Sequence, residues 1–122
     1  MRIKHASNYS KIFESFDNIL IPKVQNPAKH VFHLYAIKCK SRDQLKKYLN
    51  DNGIATGIHY PSPLPHLEAY NYLKMKESEY NRSLECTRSI LSLPMYPELN
   101  NEKIDFICRT IEEFQKNRND NF

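Results

Sequence analysis

Residues 57–66 read GIHYPSPLPH, and no other stretch constrains the chain as strongly. Pro61, Pro63 and Pro65 each lock φ and remove a backbone donor, so neither a regular helix nor a central strand can run through them. The elements on either side must be joined by a stiff, extended loop that carries His59, Tyr60 and His66. Two readings of the residues stand side by side. The loop is a rigid crossover whose prolines lower the entropy of the unfolded chain, or it is a preorganised wall presenting His59 and Tyr60 to a polar ligand.

The flanking sequence is read from its periodicity. RIKHASNYSKIFESF, residues 2–16, places Ile3, Ala6, Tyr9, Ile12, Phe13 and Phe16 at helical spacing. ILIP is a short extended piece, and QNPAK is a polar turn. VFHLYAIKC, residues 31–39, has the aromatic and β-branched content of a strand. Val31, His33, Tyr35 and Ile37 are expected on one face and Phe32, Leu34 and Ala36 on the other, which suits a central strand covered on both sides. Ser41 with Gln44 three residues on marks a helix start, Leu45, Tyr48 and Leu49 its buried stripe, and Gly53 a left-handed stop. IATGI is expected as a strand leading into the loop. Residues 67–75 and 78–91 are expected as helices, the second with Tyr80, Leu84, Thr87 and Leu91 on one face. After the connector SLPMYPEL, Asn100 caps a last helix with the stripe Ile104, Ile107, Cys108, Ile111 and Phe114. The expected fold class is α/β, a small sheet packed with helices.

Composition narrows the function classes. A chain of 122 residues, 40% hydrophobic and 26% charged, fits one domain with its own core. No stretch approaches the ~18 apolar residues of a membrane span, and the N-terminus lacks a signal-peptide pattern. The scattered Cys39, Cys86 and Cys108 are expected as free thiols in a reducing cytoplasm. The charge of +4 is spread along the chain rather than gathered into a footprint, so no nucleic-acid partner is expected.

The residues carry few catalytic patterns. Five histidines and three cysteines include no pair at zinc-ligand spacing, and His30 and His33 would face opposite sides of a strand. No metal site is expected. Cys108 lies on an apolar stripe and reads as packing rather than as a nucleophile. The chain has two glycines, Gly53 and Gly57, and neither opens a helix, so there is no phosphate-binding loop to recognise.

The order HVFHLYAIK, SRDQLKKYLNDNGIATGIHYPSPLPHLEAY and SILSLPMYPELNNEKIDFI resembles the C-terminal part of the DegT/DnrJ/StrS sugar aminotransferases. RIKHASNYSKIF is similar to the arginine-and-tyrosine helix that joins the family's large domain to its small one. The resemblance implies the C-terminal small domain of the aspartate-aminotransferase-like (type I) fold. It divides the chain into a joining helix (1–17), a small domain (18–117) and a frayed tail (118–122).

The same resemblance implies a homodimeric, pyridoxal-phosphate (PLP) dependent enzyme that aminates nucleotide-linked keto sugars for surface polysaccharide or natural products. The family's IHYP segment lies near the sugar, so His59 and Tyr60 are the expected substrate contacts, positioning the sugar or its nucleotide-linked end and excluding water. The family commonly has its second histidine where this chain has Pro65, so the resemblance gives His66 no role. The family's PLP is held on the large domain by a lysine Schiff base, an aspartate and a phosphate-binding loop. No lysine here sits in that serine-rich, glycine-flanked motif, so no catalytic or cofactor-binding residue is expected. The chain alone is expected to be inactive: a truncated frame, a fragment, or half of a split enzyme whose large domain another polypeptide supplies. The alternative is a non-enzymatic partner or self-association domain, with the helix beginning at Arg2 as the face to watch.

Overall fold

The computed structural model describes residues 1–119. Helix α1 (Arg2–Phe13) leads through an extended stretch to strand β1 (Tyr35–Lys38), and helix α2 (Arg42–Asp51) leads to the proline loop. Three short 3-10 turns, Leu64–His66, Glu68–Leu73 and Glu77–Glu79, precede helix α3 (Asn81–Ser89), strand β2 (Ile90–Leu93) and helix α4 (Asn101–Asn119). Strands β1 and β2 are antiparallel, with Tyr35 opposite Leu93, Ala36 opposite Ser92, Ile37 opposite Leu91 and Lys38 opposite Ile90. Single bridges extend the pair on both edges, Leu20 to Lys38 and Gly57 to Ser92.

Residues directly opposite in an antiparallel pair point to the same face. Tyr35, Leu93, Ile37 and Leu91 therefore share one face, and each is essentially inaccessible to solvent. Against that face pack Ala6, Tyr9 and Phe13 of α1, Leu45 and Leu49 of α2, and Ile104, Ile107, Cys108 and Ile111 of α4. The Tyr9 ring stacks on Tyr35 at 4.9 Å between centroids and donates its hydroxyl to the carbonyl of Pro94 at 3.1 Å. Tyr35 Oη and Ser10 Oγ are 3.0 Å apart. Thus α1 belongs to the hydrophobic interior: its stripe is covered within this chain, although Ile3 stays exposed.

Two local signals are realised as expected, and a third only in its position. Asn100 Oδ1 accepts from the Lys103 N–H at 2.9 Å, the cap expected of α4. Gly53 sits at φ +74, the left-handed position after α2. Ser41 is the residue before α2, although its hydroxyl makes no capping bond.

Four expected elements differ. The strand over 31–39 begins only at Tyr35. Phe32 is at φ +49 and its N–H donates to His30 Nδ1 at 2.8 Å, so the chain turns there and the alternation changes phase. Phe32 is buried, while Val31 and His33 are exposed. The strand over IATGI reduces to the bridge at Gly57. The helix over 78–91 stops at Ser89, and Leu91 lies in β2 rather than on a helical stripe. Arg42 accounts for that stop: its Nη1 donates to the carbonyls of Thr87 (2.9 Å) and Ile90 (3.0 Å). In a continued helix the Thr87 carbonyl would accept from residue 91; here a buried guanidinium closes the helix instead. The helix over 67–75 is a 3-10 turn with its large side chains exposed. Of the tail expected to fray over 118–122, positions 118 and 119 belong to α4 and the rest lies outside the described residues.

Burial shapes the response to alkali. It pushes the Cys108 thiol from 9.0 up to about 12, aided by the charge of Asp105, and the Tyr35 phenol from 10.0 up to about 12. Burial also raises Tyr9 well beyond the ordinary phenol range. These groups hold their protons more tightly folded than unfolded. The stability they contribute is complete below the unfolded values of 9.0 and 10.0 and is lost as pH climbs toward the folded values. Urea titrations at rising pH are expected to show stability falling above pH 9–10, by about 1.4 kcal/mol per pH unit for each such group. A flat profile across that range would contradict the burial of all three.

Candidate functional site

The outer face of the sheet carries Ser92 and Ile90, and the proline loop crosses it. Gly57 holds the loop to β2 through two backbone bonds: its N–H donates to the Ser92 carbonyl at 3.1 Å, and its carbonyl accepts from the Ser92 N–H at 2.8 Å. Two residues further on, His59 Nδ1 lies 3.0 Å from Ser92 Oγ. Ser92 is thus bonded at backbone and hydroxyl by one tight segment of loop. A Cβ at position 57 would run into the Cε1 atom of the His59 ring, so glycine is what lets the imidazole fold back toward the strand. Tyr60 sets its ring edge-on to that of His59, 6.0 Å between centroids, and is 75% exposed.

Beside these two rings lies a groove of about 530 Å³, within the usual size of a small-molecule site. The loop residues His59, Tyr60, Pro61, Ser62, Pro63 and Leu64 form one wall. Arg82, Ser83, Cys86 and Thr87 of α3 form the other, with Ile90 at the base of the strand. Both expected contacts, His59 and Tyr60, therefore face one cleft. His66 does not line it; its ring lies 6.4 Å from that of Tyr80. Sequence reasoning missed Arg82, Ser83, Cys86 and Ser92. The usable signal was a second stripe on α3, with polar and small side chains at 82, 83, 86 and 87 repeating at i, i+1, i+4 and i+5.

His5 is buried, with Nε2 3.1 Å from the Pro97 carbonyl. Cys39 and Cys108 are buried, whereas Cys86 is half-buried at the groove. No group of three or more His, Cys, Asp or Glu residues is placed to hold a metal ion among the described residues. No helix of the described residues is long and apolar enough to cross a membrane.

Comparison with known proteins decides the family. The model of the DegT/DnrJ/EryC1/StrS aminotransferase family matches residues 1–112. The chain belongs to that family. It is 36% identical over 117 residues to the pleiotropic regulatory protein of Geobacillus stearothermophilus, covering 94% of this chain and 32% of that protein. It is 32% identical over 110 residues to the UDP-N-acetyl-3-dehydro-alpha-D-glucosamine 3-aminotransferase of Acidithiobacillus ferrooxidans, covering 90% of this chain and 29% of that enzyme. Among solved structures, DesV of S. venezuelae in complex with a ketimine intermediate superposes with a TM-score of 0.88 at 27% identity, over 93% of this chain and 30% of that one. The chain spans about a third of the length of these relatives.

The family is PLP-dependent, and the residues present here do not fit that cofactor by themselves. All twelve lysines are exposed, and none lines the groove. Gly53 ends a helix and Gly57 sits in a strand bridge, so neither provides a phosphate cradle. Among the described residues, the groove presents no lysine amine, the nucleophile that PLP chemistry requires.

The tether can be tested directly. Ser92→Ala removes the partner of His59 and is expected to lower stability by about 1 kcal/mol in urea titrations. Gly57→Ala is expected to displace the same ring. Because both act on one contact, adding Ser92→Ala to Gly57→Ala is expected to cost little more than Gly57→Ala alone. Additive losses would show that the two residues do not act through His59.

Proposed function

We propose that this chain is the substrate-side domain of a PLP-dependent aminotransferase acting on a nucleotide-linked keto sugar, with residues 1–17 as the joining helix and 18–117 as the small domain. His59 and Tyr60 are the substrate contacts. The observation that carries this reading is their placement: one ring held by Ser92, the other free beside it, both on a groove of small-molecule size. A rigid wall of this kind orients a polar ligand without ordering its own loop at each encounter. Relatives named as transaminases of UDP- and dTDP-linked sugars support the substrate class. Free thiols suit a reducing compartment, so the cytoplasm is the proposed location.

The division of labour follows from the groove's chemistry. His59 and Tyr60 bind, orient and screen the ligand from water; the amine that carries PLP, and with it the transfer of the amino group, belongs to polypeptide beyond these residues. The surface fits that division. Leu64, Tyr72, Leu73 and Met75 are exposed within one short segment, a patch suited to burial against the polypeptide that supplies the cofactor machinery. A second copy of the chain is the competing occupant, and sedimentation of the purified chain alone would reveal it.

Two measurements test the reading. Purified chain mixed with PLP, glutamate and a dTDP- or UDP-linked keto sugar is expected to show no site-specific lysine-bound PLP absorbance and no turnover. Turnover would overturn the assignment of the cofactor amine to another polypeptide. Titration with the corresponding sugar nucleotide, followed by NMR, is expected to move the His59 and Tyr60 side-chain signals first. Shifts confined to other faces would remove both residues from the site.

A further inference from the structure

We infer that Arg82 is the anion contact of the groove and that it holds the phosphates of a nucleoside diphosphate. The inference rests on the substrate-site reading above and adds the residue that reads the charged part of the ligand. Three observations carry it.

The first is charge. Among the described residues lining the groove there is no carboxylate, and Arg82 is the one side chain with a permanent charge. The second is that this guanidinium is free. Arg42 spends its donors on the carbonyls of Thr87 and Ile90 and on Asp43, and Arg109 turns back to the Asp105 carbonyl of its own helix. Arg82 makes no hydrogen bond or ion pair among the described residues, and neither does the hydroxyl of Ser83 beside it. A planar fork of N–H donors with an adjacent hydroxyl matches phosphate oxygens, which guanidinium binds in bidentate fashion.

The third observation is the shape and chemistry of the rest of the groove. About 530 Å³ is far more room than one phosphate needs. The opposite wall is largely apolar, with Pro61, Pro63, Leu64 and Leu67, and Ile90 lies at the strand. That surface suits the flat face of a base or sugar rather than a second anion. A ligand carrying a charged group and a ring satisfies both walls; a bare anion satisfies one.

Cys86 offers a built-in probe, because it lines the groove while Cys39 and Cys108 are buried. The purified chain is alkylated with iodoacetamide, and labelling of Cys86 is followed by mass spectrometry against increasing UDP, dTDP, uridine or inorganic pyrophosphate. UDP or dTDP is expected to protect Cys86, and uridine only at concentrations about ten- to a hundred-fold higher, the usual weight of charge-assisted hydrogen bonds. Arg82→Gln is expected to raise the half-protecting concentration of UDP about tenfold or more while leaving that of uridine unchanged, with Arg82→Lys in between. Half-protection is compared rather than labelling rate, because removing a nearby charge can itself alter thiol reactivity. The side chain is exposed and unpartnered, so circular dichroism of the variant is expected to match the parent.

The outcomes separate the two levels of inference. Equal half-protection by UDP in parent and Arg82→Gln overturns the assignment of Arg82 and leaves the groove reading intact. No protection of the parent by UDP or dTDP overturns the groove reading and the Arg82 assignment together. Protection by pyrophosphate as strong as by UDP, and lost in Arg82→Gln, supports Arg82 as an anion contact and overturns the nucleoside part of the ligand.

Discussion

Two strands of four residues separate the hydrophobic interior from the groove, and the register between them decides what each side becomes. Pairing Tyr35 with Leu93 and Ile37 with Leu91 gives one face to the core, so Ser92 and Ile90 are left on the other. A slip of one residue would exchange the faces, placing a serine hydroxyl among Tyr9, Phe13 and Ile104 and removing the partner of His59. Burial of several large side chains, each contributing about 1.5–3 kcal/mol, holds the register against that exchange. The polar contact His59–Ser92 contributes much less, but it exists only because the apolar face has fixed the strand beneath it.

Arg42 performs the second act of placement. By closing α3 at the Thr87 carbonyl and bonding the Ile90 carbonyl in the strand that follows, it fixes the angle between helix and strand. That angle sets one groove wall against the other. The guanidinium is buried, so its donors must be satisfied, and the two carbonyls it meets are those freed where the helix gives way to the strand. Its ion pair with Asp43 is a lesser matter, since the Asp43 side chain is 80% exposed and the charge there is screened. Arg42 and Arg82 thus illustrate two uses of one side chain: the first saturated by backbone and structural, the second unpartnered at the rim of a cleft.

How much of this was legible follows from how local each signal is. The Asn100 cap and the stripe from Ile104 to Ile111 lie within one helix, as does Gly53 at the end of α2, and all were readable. The start of β1 was not, because a positive φ at Phe32 reversed an alternation that the side chains alone suggested. The border of α3 and β2 was hidden because Tyr80, Leu84, Thr87 and Leu91 keep a helical period across it, and the residue that ends the helix lies 45 positions earlier. The site divides in the same way. His59 and Tyr60 stood out on a loop too rich in proline for regular structure, while Ser92 and Arg82 join them only through the Gly57 bridge and the closure of α3.

The chemistry of the groove supports the proposed division between binding and reaction. Of its lining residues, His59 carries the one imidazole, and its Nδ1 is already committed to Ser92. Among the described residues, no lysine and no carboxylate lines the groove beside it. What the wall supplies is fixed direction: an imidazole at a set angle, an exposed phenol next to it, prolines that resist collapse, and a guanidinium opposite. In the proposed function, groups held this way order a ligand before chemistry begins, which lowers the entropic part of the barrier wherever the reacting amine is mounted. On the reading proposed above, the rigidity belongs on this wall and the groups that exchange protons on the surface it faces.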